Sequence, residues 1–126
     1  MSNYMGVAKD DSTFSQITMT GPLLENVAPP LTAKAGGGQS GATLLTGDLN
    51  VVTTVATAAD SVILPPMVPG RGIVAVNATA NSMNVFPAVG EKINGGSANA
   101  SVAVAAGKAT TFYCATAGSS FGLAGA

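Results

Sequence analysis

Between residues 44 and 121 the apolar residues never settle into a sustained helical spacing. They come in short β-branched runs, and Gly, Pro and Asn keep interrupting them. Leu49 to Thr57 alternates Val with Thr, both strand formers. Ser61 to Leu64 is a second run, and Pro65-Pro66 and Pro69-Gly70 bracket the turn after it. Gly72 to Asn77 and Ser82 to Phe86 follow, the latter stopped by Pro87. Asn94-Gly95-Gly96 marks a turn after the short Lys92-Ile93 element. Ser101 to Val104 alternates again, and Lys108 to Ala115 is the last clear strand. Short strands spaced by turns, with no long amphipathic helix, predict an all-β body of about six to seven strands, a small β-sandwich or barrel. The expected core is Val52, Val62, Ile63, Ile73, Val74, Val76, Val85, Ile93, Val102, Val104, Phe112 and Cys114. Side chains alternate along a strand, so Thr111 and Tyr113 face away from Phe112 and Cys114. An apolar residue on each face predicts that both faces are partly covered, as in an oligomer.

The chain divides near Gly36. Residues 1–35 hold Lys9, Asp10, Asp11, Glu25 and Lys34 and lack sustained periodicity. Gly21-Pro22 and Pro29-Pro30 break regular structure there. The stretch reads as an extended N-terminal arm joined to a body at 36–126. Tyr4, Met5, Val7, Phe14, Ile17, Met19, Leu23, Leu24 and Val27 are too many apolar residues for a solvated tail. They are the candidate contacts of the arm with another protein surface. Gly36-Gly37-Gly38-Gln39-Ser40-Gly41 reads as a flexible joint. It also matches G-x-G-x-x-G at Gly36, Gly38 and Gly41, but the strand before and helix after that a dinucleotide site needs are missing.

Composition excludes most chemistry. The 126 residues include no His and one Cys, so no Ser-His-Asp triad, His-ligated metal, disulfide or thiolate zinc cluster can form within the chain. Asp10-Asp11 is the one adjacent acidic pair, and neighbours on an extended chain point opposite ways, a poor acid–base arrangement. Cys114 sits in a β-branched and aromatic run with no base to activate it, and reads as a small buried apolar residue. Lys92 and Lys108 have no Ser placed beside them at a strained turn. Gly107-Lys108 lacks the upstream Gly of a phosphate-binding loop, because position 102 is Val. No catalytic, metal or cofactor residue is assigned, and no enzyme activity is expected. Five basic against six acidic residues provide no footprint for nucleic acid or an anionic membrane. No apolar run is long enough for a transmembrane helix, and the N-terminus does not have the form of a signal peptide. Charged residues are 9% of the chain and large apolar ones are sparse, so a thin core has to be supplemented by oligomerisation or a large partner. Arg71, the one Arg, follows Pro69-Gly70 in a turn and is a candidate for an ion pair with a partner's acid.

The order of these pieces carries a resemblance. It runs through Leu49-Asn50-Val51-Val52-Thr53-Thr54-Val55, Val62-Ile63-Leu64-Pro65, Pro69-Gly70-Arg71 and Ile73-Val74-Ala75-Val76-Asn77. It continues through Asn81-Ser82-Met83-Asn84-Val85-Phe86-Pro87, Glu91-Lys92-Ile93-Asn94-Gly95, Ala105-Ala106-Gly107-Lys108 and Thr111-Phe112-Tyr113-Cys114-Ala115. Over residues 44–121 this resembles a β module of tailed-bacteriophage structural proteins. Relatives often end in an aromatic pair after a final Gly, where this chain has only Phe121. One module plus an arm, with no shaft or coiled coil, is similar to the capsid decoration (cement) proteins. The resemblance implies a homotrimer on the capsid exterior of a virion, its arms clamping neighbouring major capsid subunits. The alternative is a tail-fibre or surface module that binds a host receptor or glycan through exposed aromatics such as Tyr113.

Overall fold

The structure, a computed structural model, describes residues 20–21 and 25–123. The described residues form ten strands and no helix, so the all-β class holds. The strands are β1 (Leu31–Thr32), β2 (Thr43–Leu44), β3 (Leu49–Thr54), β4 (Asp60–Ile63), β5 (Gly72–Asn77), β6 (Met83–Phe86), β7 (Lys92–Ile93), β8 (Val102–Val104), β9 (Ala109–Thr116) and β10 (Ser119–Leu123). They make a six-stranded sheet in the order β1-β3-β5-β9-β10-β7 and a four-stranded sheet in the order β2-β4-β6-β8.

Two sheets enclose one core, but their winding differs from a sandwich of hairpins. From β1 to β6 the chain alternates between the sheets, and each strand lies parallel to the one two places before it. Leu31 lies beside Val52, Thr43 beside Val62, Leu49 beside Val74 and Asp60 beside Met83. The chain thus coils like a solenoid, with roughly 20 to 25 residues per turn. Antiparallel strands then end the coil: β8 pairs with β6, and β9 pairs with β5. β10 folds back on β9 and takes β7 beside it in parallel.

The coil begins earlier than the residue-36 boundary. Val27 bridges Leu49, β1 pairs with β3, and Lys34 bridges Ser61. Residues 25–35 are therefore the first turn of the body rather than the base of an extended arm. Pro29-Pro30 breaks regular pairing between Val27 and Leu31 without lifting the segment off the sheet. The Gly-rich stretch also differs from a flexible joint. It is a fixed corner in which Gly36, Gly37 and Gly41 have positive φ, the region that glycine adopts without a Cβ penalty. A Cβ on Gly37 would lie 2.7 Å from the Ala59 carbonyl oxygen. The Ser61 hydroxyl donates to the Gly38 carbonyl at 2.7 Å, which ties the corner to β4.

Strand alternation decides the core. Val52, Val62, Ile73, Val85, Ile93, Val104, Phe112 and Cys114 are buried as expected. Ile63, Val74, Val76 and Val102 are only half-buried. Ile73 and Val74 are neighbours on one strand, so only one of them can face inward. Leu45, Leu64, Met67 and Met83 complete the core from positions at strand ends and corners. The coil's corners need polar staples, because strands that leave a sheet release backbone groups. Asn50 Nδ2 donates to the carbonyls of Gly47 and Val74, while its Oδ1 accepts the Gly47 N–H. Asn77 does the same at the end of β5, bonding Asn81 and Val104. Every buried side-chain polar atom among the described residues has a partner.

Candidate functional site

The strongest surface feature is the outer face of the six-stranded sheet. The inward set on β3, β5 and β9 is Asn50, Val52, Ile73, Ala75, Asn77, Thr110, Phe112 and Cys114. The outward set includes Leu49, Val51 and Thr53 on β3, Gly72, Val74 and Val76 on β5, and Ala109, Thr111, Tyr113 and Ala115 on β9. Register aligns these into rows across the sheet. Leu49 lies beside Val74 and Val74 beside Thr111. Gly72 lies beside Tyr113, and Tyr113 beside Phe121 on β10.

Tyr113 is 63% exposed and Phe121 56% exposed, although they are direct cross-strand neighbours. A Cβ on Gly72 would sit 3.2 Å from Tyr113 Cε1, so the ring leans over the glycine. Gly72 thereby lets the ring lie low across β5. None of these residues of β3, β5 and β9 is charged, whereas Lys92 on β7 is exposed beside Ser119. The face can make apolar and stacking contacts, and the Tyr113 hydroxyl adds one hydrogen-bonding group. An exposed apolar patch of this kind marks an interaction surface more often than a solvated one.

Of the arm residues expected to make contacts, Tyr4, Met5, Val7, Phe14, Ile17, Met19, Leu23 and Leu24 lie outside the described residues. Val27 is placed, 58% exposed, in a parallel bridge with Leu49 at the margin of the apolar face. Arg71 stands at the head of β5, one residue before Gly72. Its Nη1 donates to the Pro66 carbonyl at 3.0 Å, and its own carbonyl accepts the Cys114 N–H at 3.0 Å. The guanidinium is thus held at the exposed end of the turn, next in sequence to the residue that the Tyr113 ring covers. Val27 bridges Leu49 at the margin of the six-stranded sheet, and Arg71 immediately precedes its strand β5.

Alternation along β9 turns Tyr113 outward, as observed, whereas Val74 and Val76, expected in the core, lie half-buried on the outward face. Leu49, Val51 and Phe121 join them there: alternation from Val52 turns Val51 outward, but no local signal pairs Phe121 with Tyr113. The remaining candidates are structural. The Asp60 carboxylate is buried and accepts the Thr57 N–H at 3.0 Å, closing a turn. The Cys114 thiol is buried and donates to the Thr116 carbonyl. Gly36, Gly38 and Gly41 join two strands. Asp10 and Asp11 lie outside the described residues.

No family model, curated protein or solved structure matches the chain.

Proposed function

We propose that this chain is a structural virion protein, a homotrimeric capsid decoration (cement) protein of a tailed bacteriophage that binds the outer shell and acts without enzyme chemistry. The observation that supports the reading best is the apolar sheet face around Tyr113 and Phe121, with an apolar-rich N-terminal segment joining the body at its margin. A shell filled with DNA is pressed outward, and a trimer bound across several subunits resists that pressure by added contact area alone. Residues 1–24 are the clamp, with Val27 at its base. An extended segment covers much area for its mass, at an ordering cost on binding. Three segments per trimer bind at once, so modest single contacts sum to high avidity. Arg71 supplies an ion pair to an acidic group of the major capsid protein or a neighbouring copy. Deleting residues 1–24 is expected to abolish binding to purified shells while the circular dichroism of the body is retained. Full binding by the truncated chain would refute the clamp.

A second reading rests on the exposed Tyr113–Phe121 pair. A flat aromatic surface beside Arg71 also suits a host receptor or glycan, as in a tail-fibre or surface module. Reproducible glycan-array hits that disappear in Tyr113→Ala would favour it over the decoration role.

A further inference from the structure

We propose that the cavity between the Gly-rich corner and the turn entering β4 binds a small primary alkylammonium ion, with the Asp60 carboxylate as its counter-charge. The cavity has a volume of about 290 Å³, with Ala35, Gly36 and Gly37 on one side and residues 57–60 on the other. Both walls are held by the backbone. The Lys34 N–H donates to the Ser61 carbonyl at 2.8 Å, and the Ser61 N–H returns a bond to the Lys34 carbonyl at 2.9 Å. On the other wall the Ala59 N–H donates to the Ser82 carbonyl at 2.8 Å, and the Asp60 N–H to the Thr57 carbonyl at 3.1 Å. The space is therefore present before any ligand enters it, so binding does not have to order the walls.

Asp60 sets the chemistry. The residue is only 2% exposed, and its Oδ2 accepts the Thr57 N–H at 3.0 Å. Its Oδ1 has no such bond to a described residue. Every buried side-chain polar atom among the described residues has a partner, so Oδ1 retains an opening, and the space that Asp60 lines is this cavity. A carboxylate drawn out of bulk water and short of a partner favours a cation that donates hydrogen bonds. Lys34 is not that cation, because its ammonium donates to the Ala35 carbonyl at 3.1 Å. The Ala59 carbonyl oxygen stands opposite Gly37, 2.7 Å from where a Cβ there would lie, and is a second acceptor on the same wall. A calcium ion asks for about six to eight oxygen ligands. Among the described residues no three acidic, His or Cys side chains come together to supply them. The remaining lining is Ala, Gly and Thr, which suits a short alkyl chain, and the volume lies at the lower end for small-molecule sites. The site is separate from the sheet face around Tyr113, and the inference stands whether or not the chain binds a capsid.

The test titrates the full chain, labelled at its amide nitrogens, with propylammonium chloride and follows the amide resonances. Those of Gly36, Gly37, Thr57 and Ala58 are expected to shift saturably, with a dissociation constant on the order of 1–10 mM for so few ligand atoms. The Gly95 amide, in the turn after β7, is expected to stay in place. Absence of a saturable shift well above that range would overturn the proposal outright. Tetramethylammonium chloride has the same charge and no N–H, so an equal saturable shift with it would overturn the hydrogen-bonded site in favour of charge screening. Tighter saturation by calcium chloride would overturn the amine in favour of a metal. Asp60→Asn keeps an oxygen for the Thr57 N–H but removes the charge. With the rest of the spectrum unchanged it is expected to weaken propylammonium binding by about tenfold or more, and native binding by that variant would overturn the role of Asp60.

Discussion

Asn77 is the residue whose loss should harm this body most for its size. It sits at the end of β5 with no exposed surface. Its Nδ2 donates to the Asn81 carbonyl at 2.8 Å and the Val104 carbonyl at 3.0 Å. Its Oδ1 accepts the Thr79 N–H at 3.1 Å and the Thr79 hydroxyl at 2.8 Å. The amide therefore ties the larger sheet to β8 of the smaller one and shapes the turn between β5 and β6. In Asn77→Ala the Thr79 groups are half-buried and regain water readily. The Val104 carbonyl does not, and a buried polar group left unpaired costs about 1–3 kcal/mol. The Asn81 carbonyl keeps the Thr79 hydroxyl at 3.0 Å, so the expected loss is about 1–3 kcal/mol, a large part of the roughly 5–15 kcal/mol that stabilises a domain. Urea unfolding followed by far-ultraviolet circular dichroism measures it. At a slope near 1.5 kcal/mol/M the midpoint falls by about 0.7–2 M with the slope unchanged. Protein concentration has to be matched, since any oligomer adds stability by mass action. Asn84→Ala, at a half-buried position on β6, serves as the control and should shift the midpoint little. An Asn77→Ala variant within about 0.5 kcal/mol of the native chain would refute the stapling argument.

Gly37 and Gly95 share a φ of +71°, but a Cβ at Gly37 meets the Ala59 carbonyl oxygen at 2.7 Å while one at Gly95 meets nothing within 4 Å. Gly95→Ala should cost only the conformational term of about 1 kcal/mol, and Gly37→Ala distinctly more, as thermal melts of the pair will show. Gly122→Ala drives a methyl to within 2.7 Å of Phe112 Cε1 in a filled core, and about 1–3 kcal/mol of overpacking is expected in the same melts. Phe112→Ala empties the largest fully buried side chain and should cost about 3–5 kcal/mol by urea titration. Arg71→Ala should leave stability within about 0.5 kcal/mol yet weaken binding to shells in a sedimentation assay, more so at low salt.

Strand content was legible because alternation is a local signal. Val52, Ile73, Val85 and Phe112 could be placed in the core from their neighbours alone. The coil was not legible. Its turns differ in length, with the Pro65–Arg71 insertion in one and the Gly-rich corner in another, so no fixed repeat marks the sequence. Leu45 and Met67 fill the core as single residues at corners, outside any alternating run. Residues 25–35 read as an arm because two adjacent prolines mask a segment that pairs on both sides of them. The apolar face follows the same division. Tyr113 could be turned outward by counting from Phe112, whereas its meeting with Phe121 and Gly72 depends on pairings that only the folded chain makes.

The central claim, a lattice role on a virion, is tested most directly by counting copies. Quantitative mass spectrometry of purified particles gives the ratio of this chain to the major capsid protein. The decoration reading predicts a ratio on the order of one per capsid subunit, or a simple fraction set by one trimer per local threefold, as repeated attachment to a symmetric shell requires. A handful of copies per particle would contradict it and place the chain on the tail or fibre instead.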